Sequence, residues 1–426
     1  MAALGWAGLC LAADNPSRPN IVFILSDDYG LDGVSCYGSD NFKTPNIDAL
    51  AKSGLRFDNA YCTPLCGPTR CLLVTGRYGF RSGGMSNQTA KNPLSSEEPS
   101  IAKMLKQAGY ATGHAGKWRQ MSGFPNDWGF DESITDQTAG GWYWQTNYFK
   151  NGQLVQADKQ IYYPDLCHAF ALDFIQRHRD HPFFFYYASH LVHGPILRTP
   201  DSQPDMTNPE TLYADNVAYL DKQVGDLVAH IDRLGLREKT VIIFTADNGT
   251  ARASRTLRGR PLSGQKGSML DCGAHVPFLA SWKGTAPAGK VLKDLIDFSD
   301  LFPTFADLAG GTLPAGLKFD GRSFVPQLRG QAGSPRDWIF VQLGRKWYTR
   351  EMSWKLTEAG ELYDMSEAPF LEKLVAADTT DAAAVAARKR LQGVLDQLNP
   401  AGGKIEPPPM EGKAAKKARK KLKTGQ

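Results

Sequence analysis

The 426-residue chain is 42% hydrophobic and 22% charged, with 42 glycines and 26 prolines. This is an ordinary globular composition with room for one large or two moderate domains, and it excludes disorder except at the ends. The formal net charge of +5 says little about the substrate, because lysine and arginine crowd into Lys413 to Lys423, and seven cysteines in so long a chain exclude a disulfide scaffold.

The apolar run Ala2 to Ala13 is too short to span a bilayer and ends in small residues. It reads as the core and cleavage region of a secretory signal without the basic start, or as a frayed apolar terminus. Cys10 follows Ala7-Gly8-Leu9, which lacks the leucine of a lipoprotein box, so no lipidation is expected. Asn20 to Ser26 is a continuous apolar, β-branched run and reads as a strand buried on both faces, typical of a parallel sheet under helices. It ends in Asp27-Asp28-Tyr29-Gly30, at the strand end where open α/β sheets build their sites. Adjacent carboxylates there are either a solvated turn or ligands of a hard divalent cation.

Thr44-Pro45-Asn46 caps a helix with Ile47, Leu50 and Ala51 at helical spacing, and Gly54 stops it. The stretch CTPLCGPTRCLLVTGRY, Cys62 to Tyr78, reads as a tight turn opening a helix at Cys66, with Pro68 tolerated in the first turn. The unpaired N–H groups of that turn, the helix dipole and Arg70 favour an anion beside Cys66; the alternative is a buried cysteine at a loop-to-helix junction. A zinc site on Cys62, Cys66 and Cys71 lacks a CxxC pair or a nearby histidine at ligand spacing. Ser100 to Gly109 is a second helix, and Tyr110 to Lys117 a short strand and turn leading to Trp118-Arg119.

Periodicity is lost from Gln120 to Lys159, where Trp142, Tyr143, Trp144, Tyr148 and Phe149 cluster. These rings either stack on a sugar or aryl group or pin a long loop to its own core. A helix from Leu166 to His178 precedes the buried strand PFFFYYA, with His190 and His193 past its end. Leu212 to Leu234 is an amphipathic helix and Thr240 to Thr245 a third buried strand, which ends in Asp247-Asn248-Gly249. Beyond about Pro335 short alternating strands and a helix from Ala382 to Leu398 suit a small antiparallel sheet; Pro400 to Gly412 reads as a linker and the basic tail as a solvated segment. No repeat, P-loop, dinucleotide fingerprint or nucleic-acid-binding motif occurs.

Cys66, Pro68 and Arg70 in the order C-x-P-x-R, followed by Leu72, Leu73, Thr75, Gly76 and Arg77, resemble the signature of the sulfatase family. RPNIVFILSDDYG resembles that family's opening, Gly116-Lys117-Trp118-Arg119 its G-K-W-H, His193-Gly194-Pro195 its H-x-P, and Asp247-Asn248-Gly249 its second metal pair. Lys266 matches a sulfate-binding lysine, and Gly273, Val276 and Pro277 are kept where Asp271, Cys272 and His275 replace the usual glutamate, glycine and arginine. The likeness runs from about Arg18 to about Leu374.

The resemblance implies an alkaline-phosphatase-like α/β fold: a mixed, largely parallel sheet between helices, with a small C-terminal antiparallel subdomain. The expected organisation is a signal at 1–13, a catalytic domain at 18–335, a C-terminal subdomain at 336–400 and a linker with basic tail at 401–426. The expectation is a secreted or periplasmic protein with no integral membrane segment and no nucleic-acid partner, and the resemblance implies an enzyme hydrolysing a sulfated carbohydrate or aryl sulfate. In the family, Cys66 would be converted by a formylglycine-generating enzyme, and the hydrated aldehyde would attack sulfur. Conversion of Cys66 and loss of Cys10 would leave five cysteines, an odd number. Asp27, Asp28, Asp247 and Asn248 would bind Ca²⁺, or Mg²⁺ in its place. Arg70, Lys117 and Lys266 would hold the sulfate, and His193 would protonate the leaving group. Arg119 stands where the family has a histidine beside the formylglycine. It cannot act as a base, which leaves His114 as a substitute base to consider. Two rival readings are a phosphonate monoester or phosphodiester hydrolase on the same fold and a catalytically silent sulfated-glycan binder.

Overall fold

The computed structural model describes residues 18–136, 143–252 and 255–407. A ten-stranded mixed sheet begins with β1 (Asn20–Ser26) and β2 (Leu55–Tyr61) and continues through β3 (Ala111–Gly116), β4 (Glu132–Thr135), β5 (Trp144–Lys150) and β6 (Gln153–Tyr162). It adds β7 (Phe183–Ala188) and β8 (Thr240–Ala246), and after a two-strand ribbon of β9 (Thr256–Leu257) and β10 (Arg260–Pro261) it is completed by β11 (His275–Ser281) and β12 (Lys290–Asp297). Across the sheet the order is β12-β2-β11-β8-β1-β7-β3-β4-β5-β6.

Every residue of β1, β7, β8 and β11 is buried, so both faces of the sheet centre are covered, as their unbroken apolar runs require. β1 lies parallel to β7 and β8, with Ile24 beside Tyr187 on one side and Phe244 on the other, and β3 runs parallel to β7. The C-terminal ends of four strands therefore meet at one edge, with neighbours only about 4.8 Å apart.

The helices form where apolar spacing and caps agree. Asn208 accepts the N–H groups of Glu210 (3.0 Å) and Thr211 (3.1 Å) and starts the helix Pro209–Arg233 one turn before its first apolar contact. The segment from Gln120 to Lys159 departs from the sequence reading. It contains the antiparallel hairpin β5–β6, turned at Asn151-Gly152, whose φ angles are 51° and 77°. The strands escape a periodicity search because β6 is an edge strand with mostly exposed polar side chains, held by its backbone ladder. The Asn-Gly pair is the local hairpin signal that the reading passed over.

A second sheet, an antiparallel meander, runs through β13 (Ile339–Leu343), β14 (Lys346–Arg350), β15 (Trp354–Thr357), β16 (Leu362–Asp364) and β17 (Lys373–Leu374). The helix Ala382–Leu398, capped by Asp381, buries Ala384, Ala387, Leu391, Leu395 and Leu398. Part of the expected Pro/Gly linker is docked: Glu406 accepts hydrogen bonds from Ser86 Oγ (2.6 Å) and Thr89 Oγ1 (3.0 Å). The Ala2–Ala13 run, Trp142 and the basic tail lie outside the described residues. The six cysteines among the described residues are all free thiols.

Two of the residues that depart from the family pattern, Asp271 and His275, join the two sheets. Asp271 accepts a hydrogen bond from Tyr61 Oη (3.0 Å), pairs with His275 Nδ1 (2.8 Å) and forms an ion pair with Arg350 of β14. His275 stacks on Tyr61 at 4.6 Å, and its Nε2 meets the Asp58 carbonyl at 2.8 Å. The side chains of Tyr61, Asp271, His275 and Arg350 are buried, so removing one partner strands the others without water. Arg350→Met should therefore destabilise the protein by about 3–5 kcal/mol, read as a lowered denaturation midpoint in urea. An unchanged midpoint would show that the pair does not join the sheets.

Candidate active site

The helix Cys66–Thr75 begins at the expected cysteine. Leu65 is extended at its N-cap, Pro68 sits in the first turn, and all ten residues are buried. Of the first-turn donors, the Gly67 N–H goes to Asn87 Oδ1 (2.8 Å), while Thr69 Oγ1 bridges back to Thr63. Asn87 had no local signal in the sequence, because its partner is twenty residues away. Cys66 is 1% exposed, and its Sγ lies 3.5 Å from Asp27 Oδ1 and 3.7 Å from Asp28 Oδ1. Burial, reinforced by Asp247, pushes its thiol well above the ordinary value, so as a cysteine it is protonated and a poor nucleophile at neutral pH.

The strand ends supply the charges. Asp27 and Asp28 follow β1, Asp247 and Asn248 follow β8, Lys117 follows β3, and His190 and His193 follow β7. Lys117 requires Gly116 before it: φ there is +111°, and a Cβ would lie 1.9 Å from the Ala188 carbonyl oxygen. Gly249 is likewise confined, its Cβ position 1.8 Å from the Cys272 oxygen. Lys117 Nζ forms an ion pair with Asp27, and Lys266 Nζ lies 2.6 Å from Asp28 Oδ1. Arg70 reaches from the helix to Asp247 Oδ2 through Nε (3.0 Å) and Nη2 (2.7 Å), and its Nη1 donates to the Lys117 carbonyl (3.2 Å).

The buried carboxylates Asp27 and Asp247 do not ionise independently. Burial opposes the charge on Asp27, but Lys117, His193, Arg70 and Lys266 outweigh it and hold this carboxyl well below the usual range. Asp247 moves the other way, up to about 6, because burial and the charge of Asp27 exceed the pull of Arg70. The donor set fits a hard divalent ion. Asn248 gives its Nδ2 to Asp28 Oδ1 (2.9 Å) and the Gly249 carbonyl (2.8 Å), while its Oδ1 is buried with no hydrogen-bond partner. Asp27, Asp28, Cys66 and His193 also bring ligand atoms within 4.8 Å of one another.

His193 Nε2 lies 3.7 Å from Asp28 Oδ2. Burial and the two lysines lower its pKa despite Asp27 and Asp28. The loop that carries it is clasped to the end of β1 by Asp27 N–H to Leu191 O (3.0 Å) and Val192 N–H to Asp27 O (2.9 Å). Tyr143, fully buried, donates its hydroxyl to the His193 carbonyl (2.6 Å). At this residue the aromatic segment pins its own loop.

Arg119 is held by a buried carboxylate. It forks onto Asp136 Oδ2 through Nε (2.9 Å) and Nη2 (2.6 Å), and the same oxygen meets His190 Nε2 at 2.9 Å. Asp136 escaped the sequence reading because it lies in the stretch without periodicity. His114 is no base: it is fully buried, packed edge-on against Trp118, Phe130 and Tyr186, and burial pushes its pKa down to about 3.

Residues 19–311 match the sequence profile of the family described as Sulfatase. The chain is 35% identical to arylsulfatase A of Homo sapiens over 373 residues, which is 78% of this chain and 71% of that protein. It is 32% identical to N-acetylgalactosamine-6-sulfatase of Homo sapiens over 357 residues, 74% and 67% of the respective chains. Among solved structures, Ps i-CgsB in complex with k-i-k-neocarrahexaose superposes with a TM-score of 0.79 at 27% identity, over 96% of this chain and 98% of that one. With the family profile spanning most of the chain and the strand-end cluster formed within it, this protein belongs to the sulfatase family of sulfuric ester hydrolases.

Proposed function

We propose that the protein hydrolyses sulfate monoesters on a carbohydrate through a formylglycine made from Cys66. The observation that carries this reading is the convergence of Cys66 with Asp27, Asp28, Lys117, Lys266, Arg70 and His193 at one edge of the sheet. The glycan class rests on the names of similar proteins, an N-acetylgalactosamine-6-sulfatase and a neocarrahexaose complex.

Once Cys66 is converted, the hydrated aldehyde supplies one hydroxyl for attack on sulfur and a second whose proton loss releases sulfate. Arg70, Lys117 and Lys266 neutralise the sulfate oxygens, the requirement for attack on a highly charged ester. Asp27, Asp28, Asp247 and Asn248 would hold Ca²⁺, with Mg²⁺ as the alternative ion. Bound there, it would supply positive charge to the sulfate oxygens. His193 delivers a proton from Nε2 to the leaving oxygen, and the negative charge of a bound ester favours its protonated form. Arg119, always charged, orients Asp136 and His190 instead of taking a proton.

Since Cys66 is 1% exposed inside a helix, the formylglycine-generating enzyme meets it before this segment folds. The Ala2–Ala13 run supports secretion or a periplasmic location. Among the described residues no helix is long and apolar enough to cross a membrane.

Protein made with a maturation system should carry formylglycine at Cys66 by peptide mass spectrometry and cleave an aryl sulfate much faster than an aryl phosphodiester. Cys66→Ala should lose about 10⁴-fold or more in kcat. Preferred cleavage of the phosphodiester would favour the rival hydrolase, and stoichiometric binding of a sulfated glycan without sulfate release would favour the silent binder.

Elemental analysis should find about one divalent ion per chain. Chelation should abolish activity, and restoring Ca²⁺ at about 100 times its Kd should raise stability by about 2.7 kcal/mol. Full activity in exhaustively chelated protein, with no metal detected, would remove the site.

His193→Ala should lower kcat by about 10²–10⁴-fold on an alkyl sulfate and by much less on an activated aryl sulfate, whose leaving group needs no proton. Equal losses on both would assign His193 to binding.

A further inference from the structure

Two cavities lie next to one another along the chain that carries His193, one lined by Val192, Gly194 and Ile196 and the other by Ile196, Leu197 and Arg198. The first, about 470 Å³, reaches Asp28 and is walled by Val192, Ile196, Tyr213 and Arg252. The second, about 610 Å³, is walled by Trp144, Gln160, Arg198 and Leu212. Ile196 lines both, and both draw on the stretch from Met206 to Tyr213, so they form one groove leading away from the strand ends. Each volume falls within the roughly 300–1,000 Å³ that holds a small ligand. The groove thus has room beyond what the sulfated ring occupies.

The two halves differ in how their arginines are used. Arg252, in the first, forms an ion pair with Glu210 and lies over the Tyr213 ring at 4.3 Å. Arg198, in the second, is exposed, and among the described residues its guanidinium makes no hydrogen bond or ion pair. Its backbone is nevertheless fixed, because Trp144 Nε1 donates to the Arg198 carbonyl at 2.9 Å. The Trp144 ring is itself held against Tyr162 at 5.0 Å and remains partly exposed. A rigid aromatic face beside an uncommitted guanidinium matches a pyranose carrying an anionic group. The ring covers the apolar C–H face with little entropy to lose, and the guanidinium forks onto a sulfate or carboxylate.

We propose that this second cavity binds the neighbouring sugar of a sulfated oligosaccharide, with Trp144 stacking on the ring and Arg198 binding its sulfate or uronate carboxylate. The proposal rests on the sulfatase reading of the strand-end cluster. It makes the enzyme selective for a sulfated residue within a polyanionic chain over the same residue alone.

The test titrates Cys66→Ala protein, which binds without turnover, with a sulfated monosaccharide, k-i-k-neocarrahexaose and a chondroitin sulfate hexasaccharide. The two hexasaccharides separate a neighbouring sulfate from a neighbouring carboxylate. At least one should bind about tenfold tighter than its monosaccharide. Trp144→Ala and Arg198→Ala, each added to that protein, should remove most of this preference, whereas Trp144→Phe should retain much of it. In matured protein with Cys66 intact, the same substitutions should leave aryl sulfate kcat/KM within about twofold, since the aryl ester does not reach the second cavity. Hexasaccharides that bind no tighter than monosaccharides would overturn the proposal, as would equal losses on aryl sulfate and oligosaccharide. Absence of all sulfate release from matured protein, with the hexasaccharide preference intact and dependent on Trp144 and Arg198, would reject the sulfatase reading and uphold the groove.

Discussion

Three carboxylates brought out of water at the ends of two adjacent parallel strands set the terms for the rest of this structure. At an effective dielectric of about 20, unit charges 4 Å apart interact by about 4 kcal/mol, so Asp27, Asp28 and Asp247 could not share this space uncompensated. Arg70 comes from the Cys66 helix, Lys117 from the end of β3 and Lys266 from the turn before β11, each paired with a carboxylate. In the proposed reaction the cations that satisfy the carboxylates would also be the ones that face the sulfate ester. On that reading electrostatic stability and substrate binding would depend on one set of side chains.

That arrangement survives only because its carriers are held by uncharged contacts. The Cys66 helix is buried throughout and is anchored by Asn87 and by the Thr63–Thr69 pair. The His193 loop is bonded to the backbone of β1 on one side and to the Tyr143 hydroxyl on the other. Gly116 and Gly249 let the backbone pass where any side chain would collide with a neighbouring carbonyl. The positions of the charges are therefore set by packing around them, and a loss in that packing would move the chemistry without touching a charged group.

Two departures from the family pattern have different consequences. Asp271 and His275 form a buried network with Tyr61 and Arg350, so the change there is absorbed by the junction between the two sheets. Arg119, just past the end of β3, shares Asp136 with His190. The first pair is structural, and Arg119 commits a buried carboxylate that it shares with a histidine.

The buried strands, the Cys66 helix and the Asp positions at strand ends were legible in the sequence, because each depends on a local pattern: apolar runs, a proline in a first turn, a carboxylate pair after a strand; Lys117 and Lys266 stood out only through the family resemblance. The antiparallel C-terminal meander was legible for the same reason. The hairpin β5–β6 was not, since an edge held by backbone hydrogen bonds imposes no apolar period. Nor could the chain reveal that Asn87 caps Gly67, that Arg119 turns to Asp136, or that Trp144 and Arg198 wall one cavity with Gln160. Those relations join residues far apart in sequence through distance and direction alone. Local chemistry determined which residue types stand at each strand end; only the parallel register of β1 with β7 and β8 decided that they would meet.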